Sequence, residues 1–324
     1  MRKGIIVPIF LPYAGCKRRC VFCDQFTVSG EREALPPWRI GTVVKKWEKY
    51  GRVEEIGFYG GTFTGLHKDL MISYLSSIRE MYPNVKIRVS TRPDELEEEK
   101  LDILSNFGVE YVEVGVQTFR DEVLQACRRG YDGKTAVKAL ERLKSRGFTV
   151  GVHLMQGLPG NTFEDEFEDV KRVAKLKVDS CRLHPTLVFQ DTPLHEMMSR
   201  GEYTPLSLSE ALSRLVSVYI FLRGKGIVVN RIGLFLDENA RKRLVAGPYH
   251  PALGHMVKSE AVFVKIRELI KDGRIRVALD KRYYPLLVGY RGRNMKRWKN
   301  SRIEVIVVFS EGFTVNDVSL LWLI

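Results

Sequence analysis

Cysteine is scarce in this chain, with five residues in 324. Three of them fall between positions 16 and 23, which is not the spread, paired set of a protein held together by disulfides. Long hydrophobic runs are also missing, because no apolar stretch approaches the ~18 residues that a membrane-spanning helix needs. The first residues lead directly into a strand pattern, without the apolar stretch of a secretory signal. We therefore expect a cytoplasmic protein that does not contact the membrane.

Acidic residues are outnumbered by basic ones, 39 against 52, which gives a formal net charge of +13. The excess is concentrated near the C-terminus, where residues 256–309 contain 14 Lys and Arg but 5 Asp and Glu, a net charge of 14 − 5 = +9. A surface with this charge attracts polyanions, so a nucleic acid is a candidate partner. Hydrophobic residues make up 44% of the chain, enough for a substantial core.

Three of the cysteines form a single loop. Cys16, Cys20 and Cys23 follow a C-x3-C-x2-C spacing, with Phe22 just before the third thiol. A 4Fe–4S cubane normally takes four thiolates, so three leave one iron free to bind a small molecule. The alternatives are a structural zinc site or three unrelated thiols. Zinc takes four ligands, commonly from two paired knuckles, and no second Cys or His pair lies nearby in the sequence, so the spacing favours a cluster-binding loop.

The first two thirds of the chain alternate short β-branched runs with longer amphipathic stretches, a pattern typical of parallel strands joined by crossover helices. A closed or partly closed barrel fits this pattern, and so does an open doubly wound sheet. The predicted strands are 5–10, 53–59, 85–91, 110–116, 148–155 and 180–188.

Glycines and polar residues follow these strands at their C-terminal ends. Gly60 and Gly61 follow the second strand, Gln117 ends the fourth, and His153 and the segment 157–160 lie at the end of the fifth. Active sites of α/β barrels form at this end of the strands. Gly60 and Gly61 alone are typical of a tight turn. Beside a cysteine loop, they also let backbone carbonyls approach a ligand.

The combination resembles the radical S-adenosylmethionine (SAM) half of the Elongator catalytic-subunit family and its shorter bacterial relatives. The resemblance covers about residues 5–225 and lies in ordered motifs. Besides the cysteine loop, the matching segments are 60–63, 91–94, 115–117, Arg129 with Gly130, His153, 157–160 and 184–187.

This resemblance implies a partial (β/α)6, TIM-like radical SAM barrel that binds a 4Fe–4S cluster and SAM. The implied metal ligands are Cys16, Cys20 and Cys23. The implied SAM-binding residues are Phe22, Gly60, Gly61, Thr62, Gln117, Arg129, His153, Gly157 and Leu158. A low-potential electron donor is also implied, whereas no catalytic side chain is identified.

Individual roles follow from the same resemblance. Gln117 is expected to hydrogen-bond the SAM ribose, and Arg129 to pair with the SAM carboxylate through its planar fork of donors. Without the resemblance, Arg129 would be interpreted as a solvated helix charge. His153 and His184 are as typical of hydrogen-bonded core histidines as of ligand contacts. The chain departs from the family at Ser90, where many relatives have an acidic residue.

The C-terminal part differs in pattern, so we predict a barrel over residues 1–235 and a small basic α+β domain over residues 236–324. Within the C-terminal part, the pattern predicts a helix over 258–272 and a terminal strand over 315–324. A strand, helix, Gly-x-x-Gly, helix, strand order there matches the minimal core of a KH-like fold, in which that loop admits a nucleic acid backbone. A plain turn with a solvated basic face is the alternative, and Pro285 is awkward inside the presumed first helix. The candidate RNA-binding residues are Gly289, Tyr290, Arg291, Gly292, Arg293, Lys296 and Arg297.

The leading hypothesis is a radical SAM enzyme that modifies RNA, with tRNA favoured as the substrate. A second hypothesis keeps the radical chemistry but gives it a small-molecule or protein substrate. A third interprets the chain as a non-catalytic iron–sulfur protein that binds RNA.

Overall fold

The computed structural model describes residues 4–270 and 273–324. Its strands in chain order are β1 (Gly4–Phe10), β2 (Arg52–Tyr59), β3 (Lys86–Thr91), β4 (Val109–Gln117), β5 (Thr149–Gln156), β6 (Ser180–Pro185), β7 (Val188–Phe189), β8 (Val228–Ile232), β9 (Leu244–Ala246), β10 (Arg274–Leu279), β11 (Glu304–Phe309), β12 (Phe313–Val315) and β13 (Val318–Ser319). The α-helices are α1 (Gln25–Ser29), α2 (Ile40–Glu48), α3 (Lys68–Met81), α4 (Glu98–Asn106), α5 (Asp121–Ala126), α6 (Gly133–Ser145), α7 (Phe163–Lys175), α8 (Pro193–Ser199), α9 (Leu208–Gly224), α10 (Glu238–Lys242), α11 (Leu253–Glu268), α12 (Tyr284–Val288) and α13 (Arg293–Asn300). In the described part of the chain, no helix is long and apolar enough to cross a bilayer.

Seven parallel strands form one curled, partly closed sheet in the order β1-β2-β3-β4-β5-β6-β8. This confirms the predicted α/β barrel-like fold and its six strands. The seventh strand, β8, was not predicted from the sequence. It is a five-residue edge strand that, among the described strands, pairs with β6 alone, and it includes Asn230 and Arg231, so it lacks an apolar run.

The strands of the sheet have one apolar and one polar face. On β4, Val112, Val114 and Val116 are buried in the hydrophobic core. Because side chains alternate along a strand, Glu113 and Gln117 point to the opposite, concave face. Burying each large apolar side chain in the core stabilises the fold by about 1.5–3 kcal/mol. The polar face is therefore left to line the barrel interior.

The loop after β5 is fixed by the helix that follows it. Thr162 and Asp165 form a reciprocal capping box at the start of α7. The next residue, buried Glu166, accepts a hydrogen bond from the backbone N–H of Gly157 at 2.7 Å and pairs with Arg214 at 2.9 Å. The segment 157–160 is thus held by α7 rather than by its own sequence alone.

A second sheet, in the order β11-β10-β12-β13, belongs to the C-terminal segment. Between the parallel strands β10 and β11 lie α12, the Gly-x-x-Gly turn and α13, which is the predicted element order. Pro285 lies in the first turn of α12. Backbone N–H groups there have no hydrogen-bond partner within the helix, so proline removes no helical hydrogen bond. The strand predicted over 315–324 was wrong, because that segment forms short β13 and a 3-10 turn instead.

Helix α11 connects the two parts of the molecule by packing against α9 on one side and α12 and α13 on the other. Phe263 of α11 stacks on buried Trp298 of α13 with ring centroids 4.1 Å apart. Asn294 Nδ2 donates a hydrogen bond to the carbonyl of Ser259 at 2.9 Å. A helix was predicted here over 258–272; α11 begins earlier, and residues 271 and 272 lie outside the described residues.

Candidate active site

The cysteine loop is anchored by the loop that follows β2. The backbone N–H of Leu11 donates to the carbonyl of Tyr59, and that of Thr62 donates to the carbonyl of Ala14, both at 2.8 Å. Cys16 Sγ lies 3.1 Å from the hydroxyl of Thr62. Two chain segments about fifty residues apart are thereby held as one unit at the C-terminal end of the sheet.

All three thiols of this loop line one cavity. Burial, with Cys20 and Cys16 nearby, raises the pKa of Cys23 to about 12, so a bound cation would be needed to stabilise the Cys23 thiolate. Across residues 4–270 and 273–324, no group of three or more His, Cys, Asp or Glu side chains could hold a metal ion. A cubane is ligated at separate corners, so its thiolates need not converge on one point. The donor set fits such a cluster.

Gly61 is the point of closest approach between the two loops. A Cβ at this position would lie against the carbonyl of Ala14 and 2.5 Å from the carbonyl of Leu11. Both obstacles are backbone atoms of the cysteine loop, which cannot rotate away as a side chain does. Glycine is therefore required here by the close packing of the two loops.

Gly61→Ala is expected to displace the cysteine loop and weaken SAM binding about tenfold or more, since overpacking of this kind costs about 1–3 kcal/mol. Equilibrium SAM binding to the anaerobically reconstituted protein measures the effect. Gly224→Ala is the matched control, because neither glycine has a positive φ and a Cβ on Gly224 would lie 3.8 Å from its nearest neighbour, an ordinary contact distance. Equal SAM affinity in the two variants would contradict the assigned role.

Gln117 lies at an irregularity of β4, where the pairing with β5 shifts register. Its φ is +69°, a left-handed conformation that costs a residue with a side chain of order 1–3 kcal/mol. The side-chain Nε2 lies 3.0 Å from the position that a Cβ on Gly115 would occupy. The strained backbone and the missing Cβ together aim the Gln117 amide into the cavity.

Arg129 is buried, 4% exposed, and binds groups of the site rather than solvent. Its Nη1 donates to Cys20 Sγ at 3.0 Å and its Nε donates to the hydroxyl of Tyr131 at 3.0 Å. Nη2 donates to the carbonyl of Gly115. Although burial opposes the charge, Tyr131 and Cys20 raise the pKa of Arg129, so it remains a cation next to a metal-ligand candidate.

The cavity has a volume of about 600 Å³ and lies inside the barrel below the cysteine loop. Gly157 and Leu158 are not among its lining residues; Leu158 is buried in a separate apolar cluster. The assignment of Gly157 and Leu158 to the SAM-binding site stays a prediction. The predicted residues that do line the cavity are Cys16, Cys20, Phe22, Cys23, Gly60, Gly61, Thr62, Gln117, Arg129 and His153.

Glu113 is a buried polar residue of the barrel interior that the sequence analysis missed. It is 1% exposed, and its Oε1 pairs with Arg88 Nη1 at 3.0 Å and Arg182 Nη2 at 2.8 Å. Its Oε2 lies 3.5 Å from His153 Nε2. Burial opposes the charge, but His153, Arg182 and Arg88 lower the pKa of Glu113 to about 2. The sequence did contain a signal for this residue. Glu113 is a charged residue inside an apolar strand, on the same face of the strand as Gln117.

His184 lines the same cavity beside His153, with ring centroids 5.5 Å apart. Burial, followed by the electrostatic influence of neighbouring His153 and Arg182, lowers the pKa of His184 well below its ordinary value. His184 is therefore neutral at physiological pH and offers both a donor and an acceptor to a ligand.

The candidate RNA-binding residues form a separate surface around the Gly-x-x-Gly turn. Gly289 has positive φ, and a Cβ there would collide with Asn294, so glycine is required. Arg291, Arg293 and Lys296 are exposed. The other members are Tyr290, which packs edge-on against His250; Gly292, in left-handed conformation; and Arg297, which pairs with Glu260 at 2.6 Å and covers the Phe263 ring. Of the described residues, none after Phe235 lines the barrel cavity.

Two family models match the chain. The model described as the radical SAM superfamily matches residues 10–174, which is more than half of the chain and includes the cysteine loop. The model described as the radical SAM C-terminal domain matches residues 178–262. The domain boundary predicted at residue 235 remains a prediction.

Individual relatives share part of the chain. It is 34% identical over 151 residues to the tRNA uridine(34) acetyltransferase of Methanocaldococcus jannaschii, covering 46% of this chain and 28% of that protein. It is 28% identical over 205 residues to the heme chaperone HemW of Bacillus subtilis, covering 60% of this chain and 53% of that protein. The solved structure of archaeal Elp3 from Methanocaldococcus infernus has the same fold, with TM-score 0.66 and 22% identity over 82% of this chain and 64% of that chain. The chain thus spans about half or less of these two curated relatives, and the matches confirm the predicted resemblance.

Proposed function

The chain belongs to the radical SAM superfamily, and we propose that it is an enzyme that modifies RNA, with tRNA as the favoured substrate. A bound 4Fe–4S cluster and SAM would supply hydrogen-atom abstraction from the substrate, with one electron drawn from a low-potential donor. The observation that carries this proposal is the position of Cys16, Cys20 and Cys23 in one cavity with Gly61 and Gln117.

The chain's own residues bind and orient the reactants. Cys16, Cys20 and Cys23 would hold the cluster, while Arg129 holds the Cys20 sulfur in place and keeps positive charge beside it. Gln117, strained and aimed into the cavity, offers its amide to the SAM ribose. The enclosing barrel excludes water, which suppresses side reactions of a radical.

Two features support RNA as the substrate. A relative that matches nearly half of the chain is named tRNA uridine(34) acetyltransferase. The C-terminal segment also presents Arg291, Arg293 and Lys296 to solvent around a Gly-x-x-Gly turn between two helices, an arrangement suited to a phosphate backbone. Together these features favour RNA over other polyanions.

A small-molecule or protein substrate is the second candidate. A volume of about 600 Å³ lies within the range of small-molecule sites. The heme chaperone HemW is also among the relatives, with an alignment that covers 60% of this chain. This candidate shares the radical chemistry and differs in the substrate alone.

Two measurements test the proposal. Anaerobically reconstituted protein, given dithionite and SAM, should form 5′-deoxyadenosine; a fully loaded cluster without this product would leave only a non-catalytic iron–sulfur protein. Mass spectrometry of nucleosides from cells with and without the gene should then show a missing modified nucleoside. An unchanged nucleoside profile alongside active SAM cleavage would favour the second candidate.

Replacing Arg291, Arg293 and Lys296 with glutamine should weaken tRNA binding about tenfold or more at moderate salt. The slope of log affinity against log salt should become shallower by up to about 3, because each lost phosphate contact removes about one released counterion. Fluorescence anisotropy with labelled tRNA across a salt series measures both.

The control replaces three exposed lysines elsewhere on the surface, Lys134, Lys138 and Lys175, with glutamine. This variant loses the same net charge on the helices that surround the barrel. If both triple variants change affinity and salt slope equally, general charge rather than the Gly-x-x-Gly surface binds tRNA.

A further inference from the structure

A row of cationic and imidazole side chains crosses the barrel interior below the cysteine loop. Arg182 on β6 is the register partner of His153 on β5 and also of Arg231 on β8. Paired residues on neighbouring strands point to the same face of a sheet. All three line the barrel cavity. His184 also lines it, since it follows Arg182 by two residues on β6 and therefore points to the same face. The row therefore faces the space where a substrate would enter.

This row has more positive charge than its neighbours neutralise. Glu113 pairs with Arg182 and Arg88, and Arg88 also pairs with Glu55. Arg231 forms no ion pair with any other residue of the described ranges, and its Nε donates to the carbonyl of Gly233 at 3.2 Å. Two carboxylates thus face three guanidinium groups, which leaves one positive charge without a counterion.

Hydrogen-bonding capacity in the row is also unused. Arg182 Nε and His184 Nδ1 are buried and have no hydrogen-bond partner within residues 4–270 and 273–324. A buried donor without a partner costs about 1–3 kcal/mol, more when it is charged. A ligand that accepts hydrogen bonds and carries negative charge would satisfy both groups and balance the charge.

We propose that Arg182 and Arg231, with His184, bind an oxyanion of the substrate, either a carboxylate or a phosphate. Arg182 lies three residues before the end of β6, so the anion is held deeper in the barrel than the cysteine loop. The reacting part of the substrate then lies between this anion and the cluster loop. The inference rests on the proposed active site but not on RNA as the substrate, because a small organic acid, a phosphate ester and an RNA phosphodiester share this chemistry.

The test measures thermal stability of the protein without added cluster or SAM, at constant ionic strength set with sodium chloride. Inorganic phosphate, acetate and the dinucleotide uridylyl-uridine are titrated separately, and apparent affinities follow from the concentration dependence of Tm. We expect at least one probe to raise Tm beyond the chloride baseline. The preferred probe distinguishes a phosphate ester, a carboxylate and a nucleic acid phosphodiester.

Arg231→Gln should weaken binding of that probe about tenfold or more, while Arg231→Lys retains part of the affinity because it keeps the charge. Arg231 is exposed on edge strand β8 and is not one of the partners of Glu113, so this substitution leaves the Glu113 pairs intact. Arg241→Gln is the matched control, an exposed arginine outside the cavity. The proposal is overturned if no probe exceeds chloride, or if Arg231→Gln binds the probe as well as Arg241→Gln does.

The result is independent of radical chemistry. Anion binding without formation of 5′-deoxyadenosine would sustain the oxyanion site and reject the proposed enzyme. Formation of 5′-deoxyadenosine without any anion effect would sustain the enzyme and assign the row a structural role in neutralising Glu113.

Discussion

Cys20→Ala is expected to lower the rate of 5′-deoxyadenosine formation by at least about a thousandfold, which corresponds to a loss of about 4 kcal/mol in transition-state stabilisation. The substitution removes one of three thiolates from a cluster that already lacks a fourth protein ligand. It also leaves the buried guanidinium of Arg129 without the sulfur that lies 3.0 Å from its Nη1. Iron and sulfide content, the visible absorption of the reconstituted protein, and anaerobic assay of the product measure the effect.

Cys181→Ala provides the control for this substitution. Cys181 is fully buried in the hydrophobic core on the outer side of the sheet and does not line the cavity. It should retain four irons and full product formation, with a modest loss of stability from the small void. If Cys20→Ala keeps a complete cluster, or if the wild-type site proves to hold zinc with four side-chain ligands, the assignment of the loop fails.

Glu113→Gln is expected to destabilise the protein by about 3 kcal/mol at pH 7, a magnitude that follows from the lowering of the Glu113 pKa from 4.5 to about 2. Breaking a buried ion pair on one side is costly because Arg88 and Arg182 remain charged and lose their partner. Glu113 is 1% exposed, so solvent does not screen the interaction. Chemical unfolding of the variant and the wild type at pH 7 gives the difference.

The pH dependence of that difference has a defined sign. Because the folded-state pKa of Glu113 is lowered, its contribution is fully present above pH 4.5 and is lost as pH falls toward about 2. The stability gap between wild type and Glu113→Gln should therefore narrow across this window. Glu110→Gln is the control on the same strand. Glu110 is exposed, and its surface pair with Lys86, at 3.8 Å, contributes little to stability. A gap that stays constant from pH 4.5 to 2 would contradict the role assigned to Glu113.

Local spacing was sufficient to predict that the three thiols lie together and to predict the first six barrel strands. Cys16, Cys20 and Cys23 lie on one short loop, so their proximity follows from the chain itself. The strand β4 could be predicted because Val112, Val114 and Val116 repeat every second residue, which is the period of a strand. Edge strand β8 lacks such a repeat. The terminal segment is divided by a turn at Asn316 and Asp317, which both have positive φ, so it does not form the single strand that was expected there.

By itself, the sequence determined the clustering of three thiols on one loop, the order of the first six barrel strands along the chain and the basic character of the C-terminal segment. Only the tertiary structure decided that His153, Arg182 and Arg231 form one row, because register between β5, β6 and β8 is a non-local property. It also decided that Arg297 pairs with Glu260, whereas Arg291 and Arg293 are exposed. Groups that lie close in sequence can be deduced from the sequence itself. The residues that line a barrel depend instead on which distant strands pair and in which register.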